Sequence, residues 1–153
     1  MPTLELRRAR AEDLATLVEF NAAMALETEA LTLDRARLQA GVAALLADPR
    51  RGLYRVALAA GGIVGALMLT REWSDWRCGD WWWIQSVYVR PEWRRRGIFT
   101  ALYRGVEAEA AADPAACGLR LYVEHDNLSA QHTYRALGMR ESHYRMYEHS
   151  AIR

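Results

Sequence analysis

One stretch, from Val87 to Tyr103, constrains the fold more than any other part of the chain. Val87 and Val89 alternate with Tyr88, which is typical of a strand with two different faces. Pro91 cannot donate a hydrogen bond to a neighbouring strand, so it ends this one. Apolar side chains then recur at helical spacing, at Phe99, Leu102, Tyr103 and Val106. The stretch therefore predicts a strand, a loop and a helix.

The predicted loop combines positive charge with a helix start. Gly97 lies where the loop enters the helix, directly after Arg94, Arg95 and Arg96. The first N–H groups of a helix have no carbonyl partner within it and lie at the positive end of its dipole. Such helix starts bind phosphate, and arginine adds to the attraction. A helix start beside a solvated basic run is the alternative interpretation of this motif taken alone.

Other phosphate-binding loops do not fit the sequence. The chain contains no lysine, which excludes a Gly-x-x-x-x-Gly-Lys loop, and no Gly-x-Gly-x-x-Gly follows a strand. The stretch instead resembles the coenzyme A pyrophosphate loop of GNAT-superfamily N-acetyltransferases, which reads Arg/Gln-x-x-Gly-x-Gly/Ala after a valine-rich strand. Arg94, Gly97 and the preceding Val-x-Val match this pattern, whereas Phe99 stands where Gly or Ala is usual.

A second segment carries the same resemblance. It reads Leu121-x-Val123-x-x-x-Asn127-x-x-Ala130-x-x-x-Tyr134-x-x-Leu137-Gly138-Met139. It is similar to the later GNAT motif of strand, Asn, helix, Tyr, Gly and strand, with Met139 in place of the usual Phe. Two such motifs in the expected order, each on the predicted kinds of element, are more specific than either alone.

The resemblance implies an enzyme that transfers acetyl from acetyl-CoA to a primary amine of a small molecule or peptide, by direct attack in a ternary complex. The central strands are expected to splay apart, so that pantetheine pairs with exposed backbone groups like an added strand. No metal is expected. The residues implied to bind acetyl-CoA are Val87, Tyr88, Val89, Arg94, Arg95, Arg96, Gly97, Ile98, Phe99, Thr100, Asn127, Ala130 and Tyr134.

Tyr134 is the catalytic residue that the resemblance implies, as the general acid for the departing sulfur. A thiol pKa of about 8.5 against about 10 for tyrosine makes full proton transfer uphill by roughly 2 kcal/mol. Tyr134 therefore either has a lowered pKa or mainly donates a hydrogen bond to the thiolate. A tyrosine at the edge of the core is the structural alternative.

The sequence determines less clearly which residues bind the acceptor amine and which group removes its proton. An alkylamine with a pKa of about 10.4 must lose a proton before attack. Gln85 stands on the central strand, where many relatives carry a Glu, and it cannot act as a base. The alternatives for the base are Glu27, Glu29, Glu124, His125 or a chain of water molecules. The residues expected to border the acceptor are Glu27, Glu29, Trp76 and Gln85.

The order of predicted elements indicates an α+β fold, with a GNAT-like, mixed and mostly antiparallel sheet, splayed central strands and about four flanking helices. We expect residues 1–153 to form a single N-acetyltransferase domain. Strands are predicted over 4–7, 54–58, 63–70, 81–89, 118–123 and 139–147, and helices over 12–27, 32–48, 97–112 and 128–137. Residues 71–80 are predicted to form a longer connection.

Net charge, apolar runs and cysteines limit the partners and the cellular location that we expect for the protein. The net charge of +1 argues against nucleic acid as a partner. No apolar run approaches the length of a membrane span, and the N-terminus lacks a signal-peptide core. Cys78 and Cys117 lack metal-ligand spacing and are expected to be reduced, with one disulfide as the alternative, so we predict a cytoplasmic protein. We also expect a protein of bacterial type. A homodimer is plausible from the open sheet edge.

Two rival functions remain open at this point. The first is a non-catalytic acyl-CoA-binding sensor or partner module of the same fold, motivated by the missing strand glutamate and by Phe99. The second is a nucleic-acid binder that uses the three arginines and the tryptophans, which the near-neutral charge disfavours.

Overall fold

The structure, a computed structural model, describes residues 2–150. The chain divides between Tyr122 and Val123 into two compact units. The first unit holds five strands, β1 (Glu5–Arg8), β2 (Leu53–Ala59), β3 (Gly62–Ser74), β4 (Gly79–Val89) and β5 (Ala116–Arg120). It also holds three helices, α1 (Leu14–Glu29), α2 (Arg35–Ala47) and α3 (Ile98–Ala112). The second unit holds α4 (Leu128–Ala136).

The five strands form one mixed sheet in the order β1-β2-β3-β4-β5. Every neighbouring pair is antiparallel except β4 and β5, which are parallel. Hairpins join β2 to β3 and β3 to β4, whereas α3 makes the crossover that a parallel pair requires. The predicted fold class, a mostly antiparallel mixed sheet with four helices, is confirmed.

Helices of the first unit pack on both faces of this sheet. Ala66 of β3 belongs to the buried cluster that joins α1 and α2 to β2, with Leu17 among its members. The neighbouring residue Gly65 faces the other way, because successive strand residues point to opposite faces. A Cβ placed on Gly65 would lie 2.8 Å from Ile98 Cγ2 and 3.5 Å from Leu102 Cδ1, both on α3. Glycine therefore lets the start of α3 pack closely against the centre of the sheet.

Helix ends follow the polar residues that the sequence offers. Asp34 caps α2 by accepting a hydrogen bond from the N–H of Arg37 at 3.1 Å. Helix α1 ends at Ala30, whose φ of 51° is left-handed and whose N–H bonds to the Leu26 carbonyl at 3.1 Å. The end of α1 thus turns sharply without the glycine that usually occupies such a position.

The predicted connection over residues 71–80 is wrong. Strand β3 continues to Ser74 and β4 begins at Gly79, so the two strands form one long hairpin closed by a short turn. The sequence did not indicate this long hairpin, because the end of the hairpin lacks an apolar face. Its side chains stack across the strands instead, with the Arg71 guanidinium 5.3 Å from the centre of the Trp82 ring.

The predicted final strand over residues 139–147 is also wrong, since these residues form neither helix nor strand. The segment has no apolar alternation, because residues 140–143 are all polar, so pairing would not bury a hydrophobic face. Tyr144, Met146 and Tyr147 are accordingly 64%, 56% and 90% exposed.

Three further observations concern membrane spans, cysteines and metal ligands. None of the helices described between residues 2 and 150 is both long and apolar enough to cross a membrane. Cys78 and Cys117 are both free thiols. Within the same part of the chain, no group of three or more His, Cys, Asp and Glu side chains is arranged to hold a metal ion.

Candidate active site

A β-bulge in β4 marks the centre of the candidate site. Leu69 of β3 pairs with Ile84 and Met68 pairs with Ser86, so Gln85 is an extra residue without a partner in the register. The Gln85 side chain is exposed and donates to Thr70 Oγ1 at 2.8 Å. The sequence carried no clear signal for this bulge, because residues 81–84 before Gln85 are all apolar and residues 87–89 after it are apolar or aromatic.

Strands β4 and β5 pair only at one end. Their register runs from Asp80 with Ala116 to Trp83 with Arg120, where β5 ends. Strand β4 continues for six more residues, 84–89, and in the part of the chain that the structure describes all of them except the bulged Gln85 pair with β3 and with no other strand. One edge of this half of β4 is therefore open, as expected for splayed central strands.

The backbone groups of Val87 and Val89 face the open edge of β4. The Val89 carbonyl accepts a hydrogen bond from Arg94 Nε at 2.9 Å rather than from β3. The Tyr88 carbonyl faces β3 instead, 3.3 Å from a Cβ placed on Gly65. Since backbone groups of a strand alternate between its two edges, Val87 faces the same side as Val89. A ligand that adds to this edge meets N–H and C=O groups two residues apart.

The loop after β4 enters α3 through residues with left-handed backbone conformations. Gly97 is the N-cap of α3 with φ 78°, and no side chain caps this helix. Arg95 has φ 61°, which is unusual for a residue other than glycine. Backbones that switch into this region next to a helix start form the concave N–H clusters that bind anions. This loop is therefore the candidate site for a diphosphate.

Arg95→Gly is expected to leave the protein more stable than Arg96→Gly by about 1–2 kcal/mol, because only Arg95 holds a left-handed φ that glycine adopts without strain. Each variant removes one positive charge from the same loop. Urea unfolding of the two proteins measures the difference. Equal stabilities would mean that Arg95 carries no backbone strain.

A cluster of charged and aromatic side chains links this loop to the end of α1. Arg94 Nη2 bonds to Glu27 Oε2 at 2.7 Å, and the guanidinium lies 5.4 Å from the centre of the Tyr88 ring. The Tyr88 hydroxyl lies 3.5 Å from Glu27 Oε1. Burial, followed by the nearby Glu27 carboxylate, raises the pKa of Tyr88. Glu27, which was predicted to border the acceptor amine, thus contacts Arg94, which was predicted to bind the coenzyme.

A small recess lies between α1 and the sheet, beside the bulge. The recess is small and partly open to solvent, and none of its lining residues is charged. Asn21 Nδ2 donates to the Tyr54 hydroxyl at 3.1 Å, and burial raises the pKa of Tyr54, so this hydroxyl stays neutral. Among the lining residues, sequence reasoning named only Tyr88 as a site residue; the lining residues are Leu17, Phe20, Asn21, Met24, Tyr54, Ala66, Ser86 and Tyr88.

The second unit holds the other predicted site residues on α4. Asn127 caps this helix, since its Oδ1 accepts from the N–H of Ala130 at 3.1 Å, as predicted. Tyr134 lies four residues after Ala130, and therefore on the same helix face. Burial raises the pKa of Tyr134, so of the two alternatives considered, a lowered pKa finds no support in this structure. A raised pKa suits a hydroxyl that stays protonated and donates.

The remaining residues predicted for the acceptor and for the base are solvent-exposed. Glu29 is the last residue of α1, and Trp76 lies in the β3–β4 turn, where it is 87% exposed. Glu124 and His125 are exposed as well, and their carbonyls accept hydrogen bonds from Gln131 Nε2 at 3.3 and 2.9 Å. These contacts involve the backbones of the two residues and leave a role for their side chains as a base without support.

Comparison with known families agrees with this geometry. The model of the acetyltransferase (GNAT) family matches residues 14–139. The chain therefore belongs to the GNAT acetyltransferase family, which confirms the assignment made from its two motifs. This family comprises acetyl-CoA-dependent acyltransferases.

Individual relatives are similar to different degrees. A possible acetyltransferase from Clostridium difficile 630 is 46% identical, with a TM-score of 0.93 over 98% of this chain and 99% of that one. Thialysine N-epsilon-acetyltransferase from Bos taurus is 34% identical over 79 residues, which are 52% of this chain and 45% of that protein. The match thus spans less than half of that relative.

One structural neighbour carries a coenzyme. An aminoglycoside N-acetyltransferase in complex with CoA has a TM-score of 0.80 at 14% identity, over 99% of this chain and 97% of that one. At this level of identity the likeness shows that the fold is shared.

Proposed function

We propose that the protein transfers acetyl from acetyl-CoA to a primary amine of a small molecule or peptide, by direct attack in a ternary complex. The observation that carries the proposal is the open edge of β4 next to the uncapped start of α3. Membership of the GNAT family supports the same chemistry. The Clostridium difficile relative, described as a possible acetyltransferase, aligns over nearly the whole chain and adds to this support.

In this proposal the chain binds the two halves of the coenzyme with different backbone features. The open-edge groups of Val87 and Val89 pair with pantetheine like an added strand. The helix start at Gly97 binds the diphosphate, with Arg95 and Arg96 adding positive charge. A backbone N–H at the bulge can stabilise the thioester oxygen as it becomes negative. The other residues that the proposal places around the coenzyme site are Tyr88, Arg94, Ile98, Phe99, Thr100, Asn127, Ala130 and Tyr134.

The amine attacks the thioester carbonyl, the carbon–sulfur bond breaks, and the departing thiolate receives a hydrogen bond from Tyr134. Because an alkylamine is mostly protonated at neutral pH, turnover is expected to rise as pH increases towards the pKa of the amine. We place the acceptor on the α1 side of β4, near the recess and near Glu27, Glu29, Trp76 and Gln85. Thialysine and aminoglycosides are named for two similar proteins and are sensible first acceptors to try.

The function is tested by release of thiol from acetyl-CoA across a panel of polyamines, amino acids, aminoglycosides, thialysine and peptides. The expected result is thiol release that requires both the protein and a particular amine, with one acetyl group found on the amine by mass spectrometry. If coenzyme A raises the melting temperature but no amine causes thiol release, the protein is a non-catalytic acyl-CoA-binding module.

Three further parts of the proposal concern the state of the protein. We propose that residues 1–153 act as one acetyltransferase domain, which the family match over residues 14–139 supports. Cytoplasmic location is proposed from the two free thiols, which suit a reducing compartment. A homodimer is proposed from the open sheet edge, and sedimentation velocity distinguishes it from a monomer.

A further inference from the structure

The Arg94 side chain has partners within the protein, although the family motif would make it one of three phosphate-binding charges. Its Nε donates to the Val89 carbonyl at 2.9 Å and its Nη2 donates to Glu27 Oε2 at 2.7 Å. Its guanidinium also lies 5.4 Å from the centre of the Tyr88 ring, within the range of a cation–π interaction. One side chain therefore joins the last residue of β4 to the last turns of α1.

These contacts need the shape of a guanidinium. Its N–H groups are held in a rigid planar fork, so two of them can bond to separate acceptors while the flat face rests on an aromatic ring. A lysine ammonium is a compact point charge on a flexible stem, which serves a phosphate well but cannot reproduce this arrangement. The three contacts of Arg94 thus indicate a bridging role.

Pairing of the side-chain charge separates Arg94 from its neighbour Arg95, although both residues are exposed. The carboxylate of Glu27 offsets the charge of Arg94, and a diphosphate must compete with it for the guanidinium. No hydrogen bond or ion pair joins the Arg95 side chain to other residues within 2–150, and Arg95 is exposed. Arg95 is therefore the arginine with its charge available to a bound anion.

We propose that Arg94 is a positioning residue, which fixes the end of β4 against the last turns of α1, and that Glu27 is its counter-charge. The diphosphate is bound by the helix start at Gly97 and by the charges of Arg95 and Arg96. The pair thereby connects the coenzyme edge of β4 with the helix that borders the proposed acceptor side. A carboxylate that is already paired also attracts a cationic amine less than a free one does.

The first test does not depend on catalysis. Hydrogen exchange of the amides of the last turn of α1, residues 25–29, is measured by mass spectrometry in the ligand-free protein. Arg94→Lys, Arg94→Gln and Glu27→Gln should each exchange about two- to fivefold faster there than the wild type, as expected for loss of a partly exposed ion pair. The double variant Glu27→Gln/Arg94→Gln should exchange no faster than either single variant.

Glu29→Gln is the matched control, because Glu29 lies in the same turn, is exposed, and makes no ion pair within the described residues. It should leave the exchange of residues 25–29 unchanged. Unchanged exchange in all three variants of the pair, or an equal effect of Glu29→Gln, overturns the proposed connection.

The second test rests on the proposed function and uses coenzyme A itself. Calorimetric titration at 50 and 500 mM salt should show a weaker affinity for Arg95→Gln at low salt that approaches the wild-type affinity at high salt. Any loss of affinity in Arg94→Gln should be the same at both salt concentrations and should persist in Arg94→Lys. Rescue by Arg94→Lys at low salt overturns the proposal, because it identifies Arg94 as a phosphate-binding charge. A wild-type protein that fails to bind coenzyme A instead counts against the proposed function, and the exchange measurement then decides the role of the pair alone.

Discussion

Tyr134→Phe is expected to lower kcat by about 10- to 100-fold while it changes the Kd of coenzyme A by less than about twofold. The loss corresponds to one hydrogen bond to a charged group, about 1.5–3 kcal/mol, which forms only as the thiolate departs. Phenylalanine keeps the aromatic ring and removes the hydroxyl alone. The measurement is steady-state thiol release at saturating substrates, with the Kd from calorimetry.

The pH dependence of kcat in the wild type tests the same role of Tyr134. Burial raises the pKa of Tyr134, so the protonated, donating form is kept to a higher pH than for an ordinary tyrosine with a pKa of about 10. We therefore expect kcat to show no decline between pH 8 and 9.5. A decline in this range that disappears in Tyr134→Phe would indicate a lowered pKa and full proton transfer.

Tyr147→Phe is the matched control for this substitution, because Tyr147 belongs to the same unit and is 90% exposed. It should leave kcat and the coenzyme affinity at their wild-type values. Equal activity of Tyr134→Phe and Tyr147→Phe would remove Tyr134 from the role of acid.

The parts of the fold that sequence reasoning predicted are those set by local interactions. Gly97 before a periodic apolar stripe predicted the start of α3, and Asn127 predicted the cap of α4, because both features act within one helical turn. The bulge at Gln85, in contrast, left no trace in the sequence, because the run of apolar residues 81–84 before it has no alternation that could shift.

The parts that sequence reasoning missed depend on distant segments or on exposed surfaces. Arg94 and Glu27 are 67 residues apart, and no spacing rule brings them together. The end of the β3–β4 hairpin is held by backbone pairing and by stacking such as Arg71 on Trp82, without a buried face that alternation could reveal. Residues 139–147 were predicted as a strand from the motif order, but they lack an apolar face and form neither helix nor strand.

For the candidate site, the motifs predict where the backbone features lie, whereas the structure shows which partner each side chain contacts. The loop at Gly97 and the open edge of β4 lie where the motifs predicted. The Arg94 side chain, in contrast, is engaged by Val89 and Glu27, which the motif could not indicate. The role of a charged residue in a motif therefore depends on the contacts that its own side chain makes.

Asp13→Ala is expected to destabilise the protein by about 3 kcal/mol, the largest stability effect that we predict for a single side chain. Asp13 is 6% exposed and accepts from Arg7 Nη1 at 2.8 Å, from Arg7 Nη2 at 3.0 Å and from the Arg10 N–H at 2.7 Å. Truncation leaves the largely buried Arg7 guanidinium without its partner, which is the costly case for a buried pair. Urea unfolding at pH 7 measures the loss.

The pair of Arg7 and Asp13 makes the stability loss in Asp13→Ala depend on pH, with a sign that follows from the pKa of Asp13. The hydrogen bonds from Arg7 hold the pKa of Asp13 below its usual range, although burial acts in the opposite direction. A lowered folded-state pKa means that the carboxylate stabilises the protein above the unfolded pKa, about 3.9, and that this contribution is lost as pH falls through the folded value. The stability difference between wild type and Asp13→Ala should therefore be full at pH 7 and shrink as pH falls below about 4.

Glu12→Ala is the matched control, because Glu12 is the adjacent acid and its pair with Arg10, at 3.9 Å, is exposed on both sides. It should change stability by less than about 0.5 kcal/mol at either pH. Equal losses for Glu12→Ala and Asp13→Ala would show that the buried fork between Arg7 and Asp13 does not hold the start of α1. A stability difference for Asp13→Ala that stays constant down to pH 2 would instead assign its cost to lost packing rather than to the paired charge.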